Sequence, residues 1–92
     1  MNKAQDTIKN STKQLKPIVY STTWCGYCKM EKQYLSQKGI DFIEKDIEAD
    51  GDAYRELEAK MGGAFRGVPV TDINGTIILG FDRPRIDAAL NA

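Results

Sequence analysis

The tetrad Cys25-Gly26-Tyr27-Cys28 constrains this chain more than any other feature. It follows an apolar, strand-like run at residues 18–20 and opens a helix-like run at residues 29–38. Two thiols spaced in this way at a strand-to-helix junction can reach each other within one helical turn. The free N–H groups and the partial positive charge of a helix N-terminus favour a thiolate there. The tetrad therefore predicts thiol–disulfide exchange, with Cys25 as the nucleophile and Cys28 as the resolving thiol.

Three other roles of a Cys-x-x-Cys pair stay open at this point. Structural zinc normally takes four Cys or His ligands, and this chain has two cysteines and no histidine, so a zinc site needs a second chain. A structural disulfide is the second alternative, although so short a loop constrains the unfolded chain little. The third is a chance pair of inert thiols. The position at the junction favours redox activity over all three.

Length and charge limit the class of protein. A chain of 92 residues forms one domain. Its formal net charge of zero gives no indication of nucleic-acid binding. No apolar stretch approaches a membrane span, and residues 1–16 lack the apolar core of a secretory signal. With no disulfide framework, the chain fits a reducing cytoplasm better than an oxidising exterior, and a mature periplasmic form whose signal has been removed is the alternative. We expect a monomer without a membrane partner.

Turn signals and apolar spacing predict a leader at residues 1–16 and a folded domain at residues 17–92. The predicted order in that domain is β-α-β-α-β-β-α, with strands at 18–22, 41–46, 69–73 and 76–79. Asn74-Gly75 predicts a two-residue hairpin between the last two strands. Asp82 is a natural N-cap for the last helix. The apolar residues with helical spacing are Met30, Tyr34 and Leu35, then Tyr54, Leu57 and Met61, then Ile86, Ala89 and Leu90.

This order, with the cysteines at the first helix, resembles the thioredoxin-like α/β fold, which has a four-stranded mixed sheet and flanking helices. Three motifs at residues 19–29, 67–70 and 80–84 make residues 17–90 similar to the glutaredoxin family. Within the first motif, Tyr27 directly before the second cysteine is typical of glutaredoxins. The resemblance implies a glutathione-dependent oxidoreductase that reduces protein disulfides and glutathione mixed disulfides.

The resemblance also implies where glutathione binds as a co-substrate, with no tightly bound cofactor and no resident metal. Val68-Pro69 resembles the family's cis-proline loop, which pairs with the cysteine part of glutathione. Four residues match the family positions that hold the two ends of glutathione: Arg66, Gly80, Asp82 and Arg83. Tyr27 matches the family position beside the thiols. Trp24 and Tyr27 flank the thiols, where they either line a groove for the substrate or cover the end of the core. Lys29 either adds positive potential or is a solvated residue of the helix face, and the second role is the more common one for a lysine.

Two departures from the family pattern leave the reductant open. Thr22 stands where many glutaredoxins have a lysine, and Leu79-Gly80 replaces a frequent Gly-Gly pair. Residues 80–84 also look like redoxins that donate electrons to ribonucleotide reductase, some of which are recharged by thioredoxin reductase. The alternatives to glutathione-dependent reduction are therefore a redoxin served by thioredoxin reductase and a protein that holds an iron–sulfur cluster with glutathione through Cys25.

Overall fold

The computed structural model describes residues 16–63 and 65–91. It has the predicted order of elements. The strands are β1 (Ile18–Ser21), β2 (Ile43–Asp46), β3 (Val70–Ile73) and β4 (Thr76–Leu79), and the helices are α1 (Gly26–Gln37), α2 (Gly51–Met61) and α3 (Arg83–Leu90). The predicted leader lies outside the described residues, apart from Lys16.

The four strands form one mixed sheet in the order β2-β1-β3-β4. β1 and β2 pair in parallel, joined through α1, and β3 pairs antiparallel with both β1 and β4. This arrangement confirms the predicted mixed sheet. The parallel unit places the carboxyl end of β1, and hence the start of α1, at one edge of the sheet.

Local signals set most element boundaries. Asn74 and Gly75 have positive φ angles of 51° and 93°, which a tight hairpin turn requires. Asp50 accepts hydrogen bonds from two N–H groups of the first turn of α2, and Asp82 accepts one from Arg85 N–H at the start of α3. The strands are one to two residues shorter than predicted at β1, β2 and β3, which is the usual uncertainty of element ends.

The core consists of two apolar clusters. One contains Val19, Leu35 and Ile86 and lies with α1 and α3, whereas the other contains Tyr20, Leu57 and Val70 and lies with α2. Alternate residues of a strand face opposite sides of the sheet, so Val19 and Tyr20 fall in different clusters.

Two residues of the predicted apolar helix faces do not belong to the buried core. Met30 and Tyr54 are 51% and 44% exposed. The buried positions of α1 are Cys28, Glu31 and Leu35, and those of α2 are Ala53 and Leu57. The faces that pack on the sheet are therefore rotated from the predicted ones, and a glutamate takes a core position.

No helix within residues 16–63 and 65–91 combines the length and the apolar character needed to cross a membrane.

Candidate active site

The two cysteines lie at the N-terminus of α1 as reduced, separate thiols. Cys25 is the N-cap residue, and its Sγ accepts a hydrogen bond of 3.1 Å from the N–H of Cys28. A donor from the first helical turn stabilises negative charge on the sulfur it faces. Cys25 is 5% exposed and Cys28 is 0% exposed, so the first sulfur is the more accessible, although both residues are buried.

The environment of Cys28 opposes ionisation. Burial, together with the hydrogen bond to Cys25, raises the pKa of the Cys28 thiol to about 12. A thiol with such a pKa is almost entirely protonated at neutral pH. The two cysteines are therefore unlike in chemistry, because one sulfur faces a helical N–H donor and the other is enclosed by the core.

The loop before β3 faces the dithiol. The Val68–Pro69 peptide bond is cis, as the resemblance implies. The Cys25 thiol donates a hydrogen bond of 3.7 Å to the Val68 carbonyl oxygen. The structure therefore brings the second sequence motif against the first, across 43 residues of chain.

The third motif adjoins the same loop. Gly80 N–H donates a hydrogen bond of 2.9 Å to the Pro69 carbonyl oxygen, and Gly80 has a φ angle of 74°, which favours glycine. Asp82 caps α3. Arg83 turns toward the ring of Tyr34, with its guanidinium carbon 5.6 Å from the ring centroid. Among the predicted residues of this motif, Gly80 therefore contacts the loop, whereas Arg83 contacts α1.

Two grooves flank the loop, and they share Arg66, Gly67 and Val68. The first, here called the proline groove, has a volume of about 560 Å³ and brings Pro69 and Gly80 together with the shared residues. The second, here called the tryptophan groove, has a volume of about 750 Å³. Its other lining residues are Thr22, Trp24, Ile47, Glu48 and Tyr54. Arg66 is exposed where the two grooves meet, which is a suitable position for pairing with a carboxylate.

Large side chains around the dithiol are exposed. Trp24, Tyr27 and Met30 are 69%, 65% and 51% exposed. Tyr27 lines neither groove and lies on the outer surface of the first turn of α1. An apolar surface beside a reactive sulfur suits contact with another protein.

Sequence reasoning missed Glu48. Its Oε1 accepts a hydrogen bond of 2.9 Å from the indole Nε1–H of Trp24, so a carboxylate lines the tryptophan groove. The contact joins residues 24 positions apart, and no local spacing indicates it.

Sequence reasoning also missed Glu31, which is 0% exposed. Thr71 Oγ1–H donates a hydrogen bond to Glu31 Oε2, whereas Oε1 is buried and has no partner among the described residues. Burial raises the pKa of this carboxyl, and the Thr71 hydrogen bond opposes that rise. The sequence did contain one indication of this site: Glu31 follows Cys28 by three residues, so the two residues share a helix face.

Metal ligands are sparse around the dithiol. Throughout residues 16–63 and 65–91, no three His, Cys, Asp or Glu side chains are grouped so that they could hold a metal ion.

A protein-family model matches the part of the chain that contains the two cysteines and the loop facing them. Residues 18–78 match the family model described as Glutaredoxin. This chain belongs to the glutaredoxin family. Members of the family are thiol–disulfide oxidoreductases, and the matched range includes both cysteines and the Val68–Pro69 loop of this member.

Curated relatives agree with this assignment. An uncharacterized glutaredoxin-like protein of the rubredoxin operon in Clostridium pasteurianum is 44% identical over 69 residues, which are 75% of this chain and 89% of the relative. A glutaredoxin of Pseudomonas aeruginosa is 34% identical over 82 residues, covering 82% of this chain and 95% of the relative. Both relatives are matched over most of their length.

Solved structures show the same architecture. A thioredoxin-like protein superposes with a TM-score of 0.74 at 24% identity, over 82% of this chain and 100% of that chain, which shows the shared thioredoxin-like fold. A buckwheat glutaredoxin, solved as a complex with glutathione, superposes with a TM-score of 0.65 at 27% identity, over 99% of this chain and 90% of that chain.

Proposed function

We propose that this glutaredoxin reduces protein disulfides and glutathione mixed disulfides through Cys25 and Cys28, and that glutathione restores the dithiol. The observation that carries the proposal is the position of Cys25 Sγ, between the Cys28 N–H at 3.1 Å and the Val68 carbonyl at 3.7 Å. This sulfur is the one held at the helix N-terminus beside the loop that would receive the substrate.

The proposed reaction has two exchanges. The Cys25 thiolate attacks one sulfur of a substrate disulfide, the substrate S–S bond breaks, and one substrate thiolate leaves and takes a proton from water. Cys28 then loses its proton and attacks Cys25 Sγ, which releases the second substrate thiolate and forms the Cys25–Cys28 disulfide. Two glutathione molecules reduce that disulfide and become oxidised glutathione.

Substitution of each cysteine tests this division of labour. Cys25→Ser should abolish all exchange. Cys28→Ser should retain reduction of a glutathionylated peptide, which needs one thiol, and should lose most reduction of a protein disulfide. Equal losses in both variants with both substrates would contradict the proposed roles.

Arg66 is the proposed partner of a glutathione carboxylate, since it is exposed at the junction of the two grooves. An exposed ion pair contributes about 0.2–1 kcal/mol, which corresponds to a rise in KM of up to about fivefold in Arg66→Ala. We expect kcat to change little, because the contact is equal in the ground and transition states.

Arg55→Ala is the matched control for that variant, because Arg55 is an exposed arginine of α2 that pairs with Asp52 and lines neither groove. The same KM for a glutathionylated peptide in both arginine variants would argue against the carboxylate contact.

Two features of the tryptophan groove favour a second candidate, a redoxin recharged by thioredoxin reductase that serves a reductase such as ribonucleotide reductase. The Glu48 carboxylate lines the tryptophan groove, and Thr22 there provides no positive charge. Both features disfavour an anionic ligand on this side of the loop. Turnover with glutathione and glutathione reductase should therefore be compared with turnover with thioredoxin reductase, and the faster system identifies the reductant. A cytoplasmic location follows from either candidate, since both reductants act in a reducing compartment.

A further inference from the structure

The resolving step requires a proton acceptor for the Cys28 thiol. Cys28 is 0% exposed, and its thiol has a pKa of about 12 because of burial and the hydrogen bond to Cys25. Only a thiolate attacks a disulfide efficiently. A buried thiol of this kind loses its proton slowly to bulk water, so a base inside the fold would accelerate the step.

Glu31 has the required position. It lies three residues after Cys28 on α1, and residues at this spacing share one face of a helix. Both residues are 0% exposed and belong to the buried positions of α1. The hydrogen bond from Thr71 fixes Glu31 Oε2 to β3, and Thr71 follows Pro69 of the active-site loop by only two residues. The carboxyl therefore lies between α1 and β3, on the helix face that carries Cys28.

The second carboxylate oxygen of Glu31, Oε1, is available to accept a proton. Oε1 is buried and accepts no hydrogen bond from the described residues. Buried polar atoms are nearly always paired, and an exception calls for a reason. An oxygen that must receive a proton during turnover is such a reason, because a permanent donor would occupy it.

The other charged groups packed around α1 are paired or exposed, and the charge of Lys32 also acts on Cys28, in the direction of a lower pKa. Lys32 of α1 pairs with Glu44 of β2, and Tyr34 of α1 donates a hydrogen bond to Asp87 of α3.

The charged groups on the opposite face of the sheet are also paired with one another. Tyr20 of β1 donates a hydrogen bond to Glu56, and Asp72 of β3 pairs with Lys60. Arg83 and Arg85 of α3 are exposed. Glu31 is the one completely buried acidic side chain among residues 16–63 and 65–91.

We propose that Glu31 accepts the proton of Cys28 when Cys28 attacks the mixed disulfide on Cys25. The Cys28 S–H bond breaks, its proton passes to Glu31 Oε1, and the new sulfur anion forms the bond to Cys25 Sγ. The bond between Cys25 and the substrate sulfur breaks, and the substrate thiolate leaves with the electron pair. When the reductant later frees Cys28 as a thiolate, Glu31 returns the proton. The proposal rests on the proposed function of the two cysteines.

A chromogenic disulfide, dithiobis-nitrobenzoate, separates the two exchanges in one stopped-flow experiment. The first coloured thiolate is released when Cys25 attacks, at a rate that depends on reagent concentration. The second is released when Cys28 attacks the mixed disulfide, at a rate that does not. Glu31→Gln keeps the shape of the side chain and an acceptor for Thr71, but it cannot take a proton.

In Glu31→Gln we expect the second release to slow by roughly 100-fold or more, as for loss of a general base, while the first release is unchanged. In the wild-type protein the second rate should rise with pH through the ionisation of Glu31 and then level off. In the variant it should keep rising toward the ionisation of Cys28 itself. Glu58→Gln, which changes an acidic residue of α2, is the matched control and should behave as wild type.

Thr71→Val provides an independent test should Glu31→Gln fail to fold. The Thr71 hydrogen bond lowers the pKa of Glu31, so its loss should shift the pH profile of the second release to higher pH. The role of Glu31 would be overturned if wild type, Glu31→Gln and Thr71→Val all showed a normal first release, the same rate of second release and the same pH profile. Absence of the rapid first release in wild type would instead overturn the proposed function.

Discussion

Iodoacetamide should modify Cys25 well before Cys28 in the reduced, folded protein. The pKa of Cys28 is raised by burial and by the hydrogen bond to Cys25, from an ordinary 9.0 to about 12. Because the thiolate is the reactive form, three pKa units lower the reactive fraction at neutral pH by roughly 1000-fold. Cys25 is also buried, but it retains 5% exposure, and its sulfur faces the loop and the helical N–H.

The net effect is smaller than the change in thiolate fraction. A thiolate of higher pKa is a stronger nucleophile, with a Brønsted coefficient of about 0.4–0.5, so three units recover a factor of roughly 15–30. Cys28 should therefore react roughly 30- to 60-fold more slowly than an ordinary thiol. Exclusion of the reagent from a residue that is 0% exposed slows it further.

The assay is brief alkylation at neutral pH with a limiting amount of reagent, followed by mass spectrometry of the proteolytic peptides. We expect nearly all singly modified molecules to carry the label on Cys25. The same labelling in concentrated urea is the control, since unfolding exposes both thiols and should bring their rates close together. An even division of the label in the folded protein would refute the assignment of an enclosed Cys28.

Three further outcomes concern stability, each measured by urea unfolding followed by far-UV circular dichroism. Burial raises the pKa of Glu31 above its ordinary 4.5, so the contribution of the protonated carboxyl to folding stability is complete below about pH 4.5 and is lost as pH rises through the folded-state pKa. Glu31→Gln should therefore gain stability relative to wild type as pH rises, and a stability difference that is constant with pH would contradict this. Leu35→Ala should cost about 2–5 kcal/mol because the side chain is completely buried, and a cost below about 1 kcal/mol would show that the site collapses. Asp50→Ala should cost about 0.5–2 kcal/mol, since Asp50 accepts two N–H bonds at the start of α2, whereas an unchanged midpoint would show that water replaces the cap.

Local chemistry made much of the fold predictable. Asn74-Gly75 permits a tight turn through positive φ angles, and Asp50 and Asp82 accept hydrogen bonds from N–H groups of their own helices. These contacts join residues close in sequence, so their signals are complete within a short window. The order of elements and the mixed sheet followed from such signals.

The burial of helix faces was less predictable, because it depends on what lies opposite each helix. Met30 and Tyr54 have the apolar character and spacing of core residues, yet both are substantially exposed. Glutamate is charged in water, yet Glu31 occupies a core position, where Thr71 donates a hydrogen bond to it. Periodicity alone cannot show that a strand 40 residues away provides that partner.

The same distinction applies to the site. The dithiol and its place at a helix N-terminus were predictable from the sequence alone, as were the roles proposed for Cys25 and Cys28, because all of these depend on one strand-to-helix junction. The folded structure was needed to show that the Val68 carbonyl faces Cys25, that Glu48 lines a groove with Trp24 and that Glu31 is buried against Thr71. These contacts are made across the sheet and its loops, where chain folding, and not spacing along the sequence, sets which groups meet.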